Sequence, residues 1–174
     1  MTLKTLLPCI TCLLLIACKA NQSNVEEIQI KNPIISGCPD GGACTFEIIK
    51  ESSLELKTDD IGKLYPEVQK GNQDVLKFEY IQDQDPRIAD DGYREVIYIE
   101  IDSATKTLEL NDLDLRKAKV LFGRFCFCGN QAGYFPVKNG NLKVSSNENG
   151  TLTYSLNFEM LDLPQQTNNI SITK

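Results

Sequence analysis

Val75-Leu76-Lys77-Phe78-Glu79-Tyr80-Ile81 alternates without a break, so an extended chain puts Leu76 and Phe78 on one face and Val75 and Lys77 on the other. Glu95–Asp102 (EVIYIEID) repeats the pattern, with Val96, Tyr98, Glu100 and Asp102 on one side and Ile97, Ile99 and Ile101 on the other. A period of two sustained over seven or eight residues is the mark of strands with one face on a core. Thr45–Ile49 and Ser53–Lys57 read as two further strands upstream. Downstream, Asn141–Val144 and Leu152–Phe158 flank Asn147-Glu148-Asn149-Gly150, whose Asn-Gly pair supplies the positive φ angles of a tight hairpin.

One stretch departs from this rhythm. Asn111 is placed to cap a helix near 112–122, with Asp114 at the third position and Leu110 stapled against Leu115. Asp112 and Asp114 stand at the positive end of the helix dipole, and Arg116, Lys117 and Lys119 lie toward the negative end. Leu115, Ala118 and Phe122 share a face, and Gly123 can end the helix. The competing reading runs a strand through Leu108, Leu110, Leu113 and Leu115. The sum is a mainly β chain: an antiparallel β-sandwich or open barrel of seven or eight strands with one short helix.

The whole chain has 174 residues, 41% hydrophobic and 24% charged, with a net charge of −6. That length holds one domain and not two comfortable cores. The negative charge argues against a nucleic-acid partner, which would need a basic face. Histidine is absent, which removes Ser–His–Asp and Cys–His catalysis and His-ligated zinc together. No residue pattern requires a cofactor, and no catalytic motif is present.

The amino terminus reads as an address. After Lys4, Leu6–Ala17 (LLPCITCLLLIA) is an apolar run of twelve residues, too short for a spanning helix of ~20 and suited to the core of a signal peptide. It ends in Leu15-Ile16-Ala17-Cys18, which resembles the lipobox of bacterial lipoproteins. The resemblance implies that residues 1–17 are removed and that Cys18 carries a diacylglycerol and an acylated amino group (palmitate or a similar fatty acid). Two or three chains anchor a protein lastingly, at ~0.8 kcal/mol per buried CH₂. By the same resemblance Lys19, where aspartate would signal inner-membrane retention, points to the outer membrane, on its periplasmic or surface face. The other reading is an ordinary secretory signal in which Cys18 is incidental. Residues 18–36 follow as the lipidated cysteine and a polar tether of ~23 Å reach, although Ile28, Ile30, Ile34 and Ile35 would also suit an edge strand. Residues 37–174 are the β domain.

Four cysteines remain in that domain: Cys38, Cys44, Cys126 and Cys128. In an oxidising compartment an even number argues for two disulfides. Placed on an extended strand, Cys126 and Cys128 would have Cα atoms ~6.6 Å apart, at the edge of disulfide geometry. Crossed pairing with Cys38 and Cys44 is therefore the favoured expectation, each bond closing a loop of roughly 85 residues worth ~4–5 kcal/mol. Local Cys38–Cys44 pairing with Cys126 and Cys128 reduced is the other. Phe125-Cys126-Phe127-Cys128 itself reads as a central strand buried on both sides.

Function is less legible. Cys126 and Cys128 could serve a thiolate metal or redox site, but Cys-x-Cys is not the usual zinc spacing. Asp83, Asp85, Asp90, Asp91 and Glu95 crowd one loop without the register of a calcium site. Glu95 and Glu100 lie on opposite faces of one strand and cannot form a glycosidase pair. Asn130, Gln131, Tyr134 and Phe135, after the cysteines, could form a ligand-binding rim. The expectation is a lipid-anchored, disulfide-stabilised envelope protein with a non-catalytic binding or structural role. Its partners would be the membrane, through the anchor, and a protein or small molecule. The alternative is the metal or redox lipoprotein built on Cys126 and Cys128.

Overall fold

The computed structural model describes residues 32–174. Cys18, the apolar run before it and the first part of the tether lie outside the described residues. Eleven strands are found among those described: β1 (Ile34–Ser36), β2 (Gly42–Thr58), β3 (Leu64–Lys70), β4 (Gln73–Gln82), β5 (Arg94–Asp102), β6 (Leu108–Asn111), β7 (Leu121–Phe125), β8 (Gly133–Pro136), β9 (Gly140–Ser146), β10 (Leu152–Phe158) and β11 (Asn169–Thr173). They form two antiparallel sheets, one in the order β1-β11-β10-β9-β6 and the other β3-β2-β4-β5-β7-β8. The mainly β expectation holds, with more strands than the sequence displayed.

The alternating stretches behave as their pattern requires. Leu76, Phe78, Ile97, Ile99 and Phe122 meet Leu142, Val144, Tyr154, Leu156, Ile170 and Ile172 across the gap between the sheets, forming the main core. Ile34–Ser36 pairs with β11 as an edge strand, in the register Ile35↔Ile172. Around the hairpin turn, Asn147 Oδ1 accepts N–H bonds from Asn149 (3.1 Å) and Thr151 (2.9 Å), and Gly150 has φ 77°. That side-chain clasp, with the glycine's left-handed backbone, sets the β9–β10 register.

Two strands read from the sequence are one. β2 runs through both Thr45–Ile49 and Ser53–Lys57 and is bent where its pairing with β4 slips between Ile49 and Ser52, with Glu51 at φ 49°. The bulge turns the far half of β2, with β3, over the face of the sheet that points away from the main core. There Leu54, Val75, Val96 and Leu121 are buried outside the main cluster. Glu100 fastens the fold-over: it accepts the Leu54 N–H at 2.6 Å and the Lys119 ammonium at 2.8 Å, while Lys119 also donates to the Leu54 carbonyl. The six-stranded sheet so curls toward closure, and its edges β3 and β8 approach each other. Lys63 Nζ reaches the Ala132 carbonyl at 3.4 Å across that gap.

The region near 112–122 combines both sequence readings. Leu108–Asn111 is a strand, and Asp112–Ala118 is a 3-10 helix with Leu115 and Ala118 buried. Asn111 makes no side-chain cap, because its Oδ1 is taken by Asn141 Nδ2 across the β6–β9 pair at 2.8 Å. The helix stops at Lys119, in the left-handed region at φ 45°, and not at Gly123. Gly123 is needed elsewhere: the Tyr134 ring lies over it, and a Cβ there would stand 2.5 Å from Tyr134 Cε1.

The disulfide pattern corrects the crossed expectation. The bonds join Cys38 to Cys44 and Cys126 to Cys128. An extended Cys-Phe-Cys strand would hold the two sulfurs at the edge of bonding distance, but β7 ends at Phe125 and the chain folds back at once. The Cys128 N–H bonds to the Cys126 carbonyl at 2.9 Å, a three-residue turn that draws the two Cα atoms to 5.2 Å. Nor is this segment a central strand buried on both sides: Phe127 is 87% exposed.

Candidate functional site

Polar residues converge where β5, β7 and the β10–β11 connection meet. Glu95 shares the parity of Ile97, Ile99 and Ile101, so the pleat that makes the core also carries its carboxylate inward, and it is 0% exposed. Its oxygens accept the backbone N–H of Gln166 (2.6 Å) and Thr167 (2.8 Å) and the Tyr93 hydroxyl (2.5 Å). A carboxylate can only accept, and three donors meet that need without water. The arrangement also ties the long 159–168 connection to β5. Gln165 stitches the same connection internally, donating to the Phe158 and Thr167 carbonyls and accepting the Met160 N–H.

Arg124 stands opposite Glu95 in the β5–β7 register and is 8% exposed. The two charges do not touch. Arg124 Nε donates to the Tyr93 oxygen at 3.3 Å, so the phenol sits between guanidinium and carboxylate. Burial, and then the Glu95 bond, push the Tyr93 hydroxyl up to about 12, against the opposing pull of Arg124. The other arm of the guanidinium points outward. Nη1 lies 3.0 Å from Cys128 Sγ, 3.3 Å from the Gln131 carbonyl and 3.5 Å from Gln131 Oε1. One chain of contacts thus runs from the 166–167 backbone, where Thr167 is buried, through Glu95, Tyr93 and Arg124 to a disulfide at the surface.

The residues read as a rim are divided by the structure. Gln131 is committed to Arg124. Asn130, Tyr134 and Phe135, with Gly62, Lys63, Leu64, Ala132 and Gly133, border a hollow of about 240 Å³ at the β3–β8 gap. Tyr134 and Phe135 are neighbours on a strand and take opposite faces. Tyr134 turns to the curled side, edge-on to Phe125 at 5.1 Å and 6.2 Å from Tyr98. Burial and the neighbouring Tyr98 raise its hydroxyl to about 12. Phe135 pairs with Phe122, whose side chain belongs to the main core. Phe125 is held on the curled side under the Arg94 guanidinium, 4.5 Å from the ring centre.

Two carboxylates of the acidic loop are bonded within it. Asp85 is clamped by the Arg87 guanidinium, and Asp91 accepts the Asp85 N–H at 2.7 Å. Among the described residues no group of three or more Cys, Asp or Glu side chains is arranged to hold a metal ion. The four sulfurs are bonded within their own pairs, so they make no tetrathiolate. Glu95 and Glu100 stand on opposite faces of β5, as the alternation requires.

Sequence reasoning missed Tyr93, Arg124 and the 166–167 backbone as members of one site. A signal was present: Glu95 falls on the parity of three isoleucines, and Arg124 on that of Phe122. An acid and a base on core-facing positions mark a buried pair, although which strands would meet was not legible. Against protein-family models, curated proteins and solved structures the chain shows no significant match, so the site stands on its own geometry.

Proposed function

We propose that this chain is a lipid-anchored protein of the bacterial cell envelope whose disulfide-stabilised β domain binds a partner and performs no catalysis. The observation that carries the reading is the run from Leu6 to Cys18, twelve apolar residues ending in Leu-Ile-Ala-Cys. Two disulfides within the β domain support it, because such bonds persist in oxidising, extracytoplasmic compartments. Among the described residues no helix is long and apolar enough to cross a membrane. The acylated Cys18 would then do the holding, at the outer membrane. The acidic chain is repelled by anionic headgroups and gains nothing from them. For a partner, the hollow at the β3–β8 gap is lined by Asn130, Lys63 and Tyr134 among others.

The test is metabolic labelling of the expressing cells with an alkyne fatty acid, followed by mass analysis of the amino-terminal peptide. Label should appear on a peptide beginning at Cys18, in the outer-membrane fraction, and Cys18→Ser should abolish it. An unmodified peptide beginning at Met1 in the cytosol would overturn the proposal.

A further inference from the structure

We propose that the Cys126–Cys128 disulfide is a thiol-exchange site, open to attack at Cys126 by a partner thiolate of the small-thiol or dithiol-protein class, with Cys128 as the leaving group held by Arg124. Three observations lead there. The bond joins no two elements of the fold: it closes a ring across one residue, within a single turn. Both cysteines are partly exposed, and Phe127 between them is 87% exposed, offering an apolar contact beside the sulfurs. Most telling is the guanidinium. Arg124 is nearly buried and forms no ion pair with any carboxylate within 4.0 Å among the described residues, and its Nη1 is 3.0 Å from Cys128 Sγ alone of the four sulfurs. A positive charge fixed on a neutral sulfur gains little while the bond is whole. It gains a charge-assisted N–H···S⁻ bond once that sulfur becomes a thiolate.

The reaction balances without a cofactor. An incoming thiolate forms a bond to Cys126 Sγ as the sulfur–sulfur bond breaks, and the electron pair leaves on Cys128 Sγ. The products are a mixed disulfide at Cys126 and a Cys128 thiolate beside Arg124. A second thiolate can then attack the partner sulfur of the mixed disulfide, releasing an oxidised pair and leaving Cys126 reduced; two electrons have passed from the two thiols to the protein. Alternatively Cys128 attacks back and restores the original bond. Exchange speeds up as the leaving thiol becomes more acidic, and Arg124 acts on one sulfur only, so the direction of attack is set. Tyr93 and Gln131 keep the guanidinium in position by holding its Nε and Nη1. The anchored domain would thereby offer a reversible covalent contact as well as a binding surface, and this chemistry does not depend on the lipid.

The experiment uses the full chain, oxidised and folded, at pH 7 with reduced glutathione as the probe. Samples quenched over time are blocked with one alkylating reagent, then unfolded, reduced and blocked with a second of different mass, and the peptides are mapped. Cys126 and Cys128 should open at least ten-fold faster than Cys38 and Cys44, and the glutathione adduct should sit on Cys126. Arg124→Gln should slow opening of the Cys126–Cys128 bond about ten-fold and leave the Cys38–Cys44 rate unchanged. Equal rates for the two bonds, an adduct on Cys128, or an unchanged rate in folded R124Q would each overturn the proposal. Should R124Q fail to fold, the rate ranking and adduct position in the unaltered chain decide.

Discussion

The bond between Cys38 and Cys44 joins chain leaving one sheet to chain within the other, whereas the bond between Cys126 and Cys128 joins the two ends of one turn. Cys38 follows β1 of the five-stranded sheet, Cys44 lies in β2 of the six-stranded sheet, and both sulfurs pack against the main core. Gly37 there approaches Asn169 so closely that a Cβ would lie 1.9 Å from its carbonyl oxygen. The second bond has solvent and Phe127 on one side and a buried guanidinium on the other. Chemically identical links therefore do different work. In the chain-entropy account a seven-residue loop is worth about 2.4 kcal/mol and a three-residue loop about 1.6 kcal/mol. Only the first adds to this the alignment of two sheets.

The second turn rests instead on what stands behind it, the Arg124 guanidinium with Tyr93 and Glu95. Removing Glu95 is the severest way to break that support. Glu95→Ala leaves the buried Thr167 N–H, the partly buried Gln166 N–H and the Tyr93 hydroxyl without an acceptor, at an expected cost of about 3 kcal/mol. Urea denaturation measures it. A loss below about 1 kcal/mol would mean that the 159–168 connection does not rely on this carboxylate.

Next in size are the bonds themselves. Replacing Cys38 and Cys44 together by Ala should cost about 2.4 kcal/mol and lower Tm by roughly 7 °C. Replacing Cys126 and Cys128 together should cost about 1.6 kcal/mol and roughly 5 °C. Differential scanning calorimetry of both double variants settles the order. If the second pair costs more than the first, the comparison fails, and the Cys-Phe-Cys turn is a brace after all.

How much of this was legible in the sequence follows from the range of the forces involved. Alternation over Val75–Ile81 and Glu95–Asp102 is a local signal tied to a global core, so strand identity and facing survive intact. The bulge at Glu51 is local too, but nothing in Lys50-Glu51-Ser52 announces it, so one bent strand reads as two. Alternation misplaces Cys126 and Cys128 because it runs on past the end of the sheet. Phe125-Cys126-Phe127-Cys128 has the pattern of a strand, yet the chain has already left the sheet. The site was invisible for a different reason. Glu95, Arg124 and Thr167 are far apart in sequence, and only the strand order β5-β7 with the β10–β11 connection brings them together.

A smaller effect isolates the fold-over of β2 and β3, on the opposite face of β5 from that site. Low-pH stability carries a parallel case in Glu100: burial alone would raise its carboxyl, but the Lys119 ammonium and the Leu54 N–H outweigh that and lower it below 4.5. Stability from Glu100 is thus present above its unfolded value and lost as pH falls through the folded one. Glu100→Gln should flatten the acid limb of a stability–pH curve below about 4.5, and an unchanged limb would detach Glu100 from the fold-over of β2 and β3.

Tyr93 gives the converse at high pH. Its hydroxyl rises from 10.0 to about 12 on folding, mainly by burial and then by its bond to Glu95. Stability from the protonated phenol is complete below the unfolded value and is lost as pH climbs from 10 toward 12, because the unfolded chain ionises first. Tyr134 is raised equally, and Tyr80, Tyr98 and Tyr154 are raised as well. Alkaline unfolding of the wild type therefore mixes several residues, whereas its difference from Tyr93→Phe keeps only one. At pH 8 the variant should be less stable by about 1 kcal/mol, the worth of one hydrogen bond with its acceptor left short. Between pH 10 and 12 that gap should close, since the phenylalanine cannot ionise in either state. A gap that stays constant to pH 12 would mean the phenol does not bridge Glu95 and Arg124, leaving the outer disulfide without its link to the buried carboxylate.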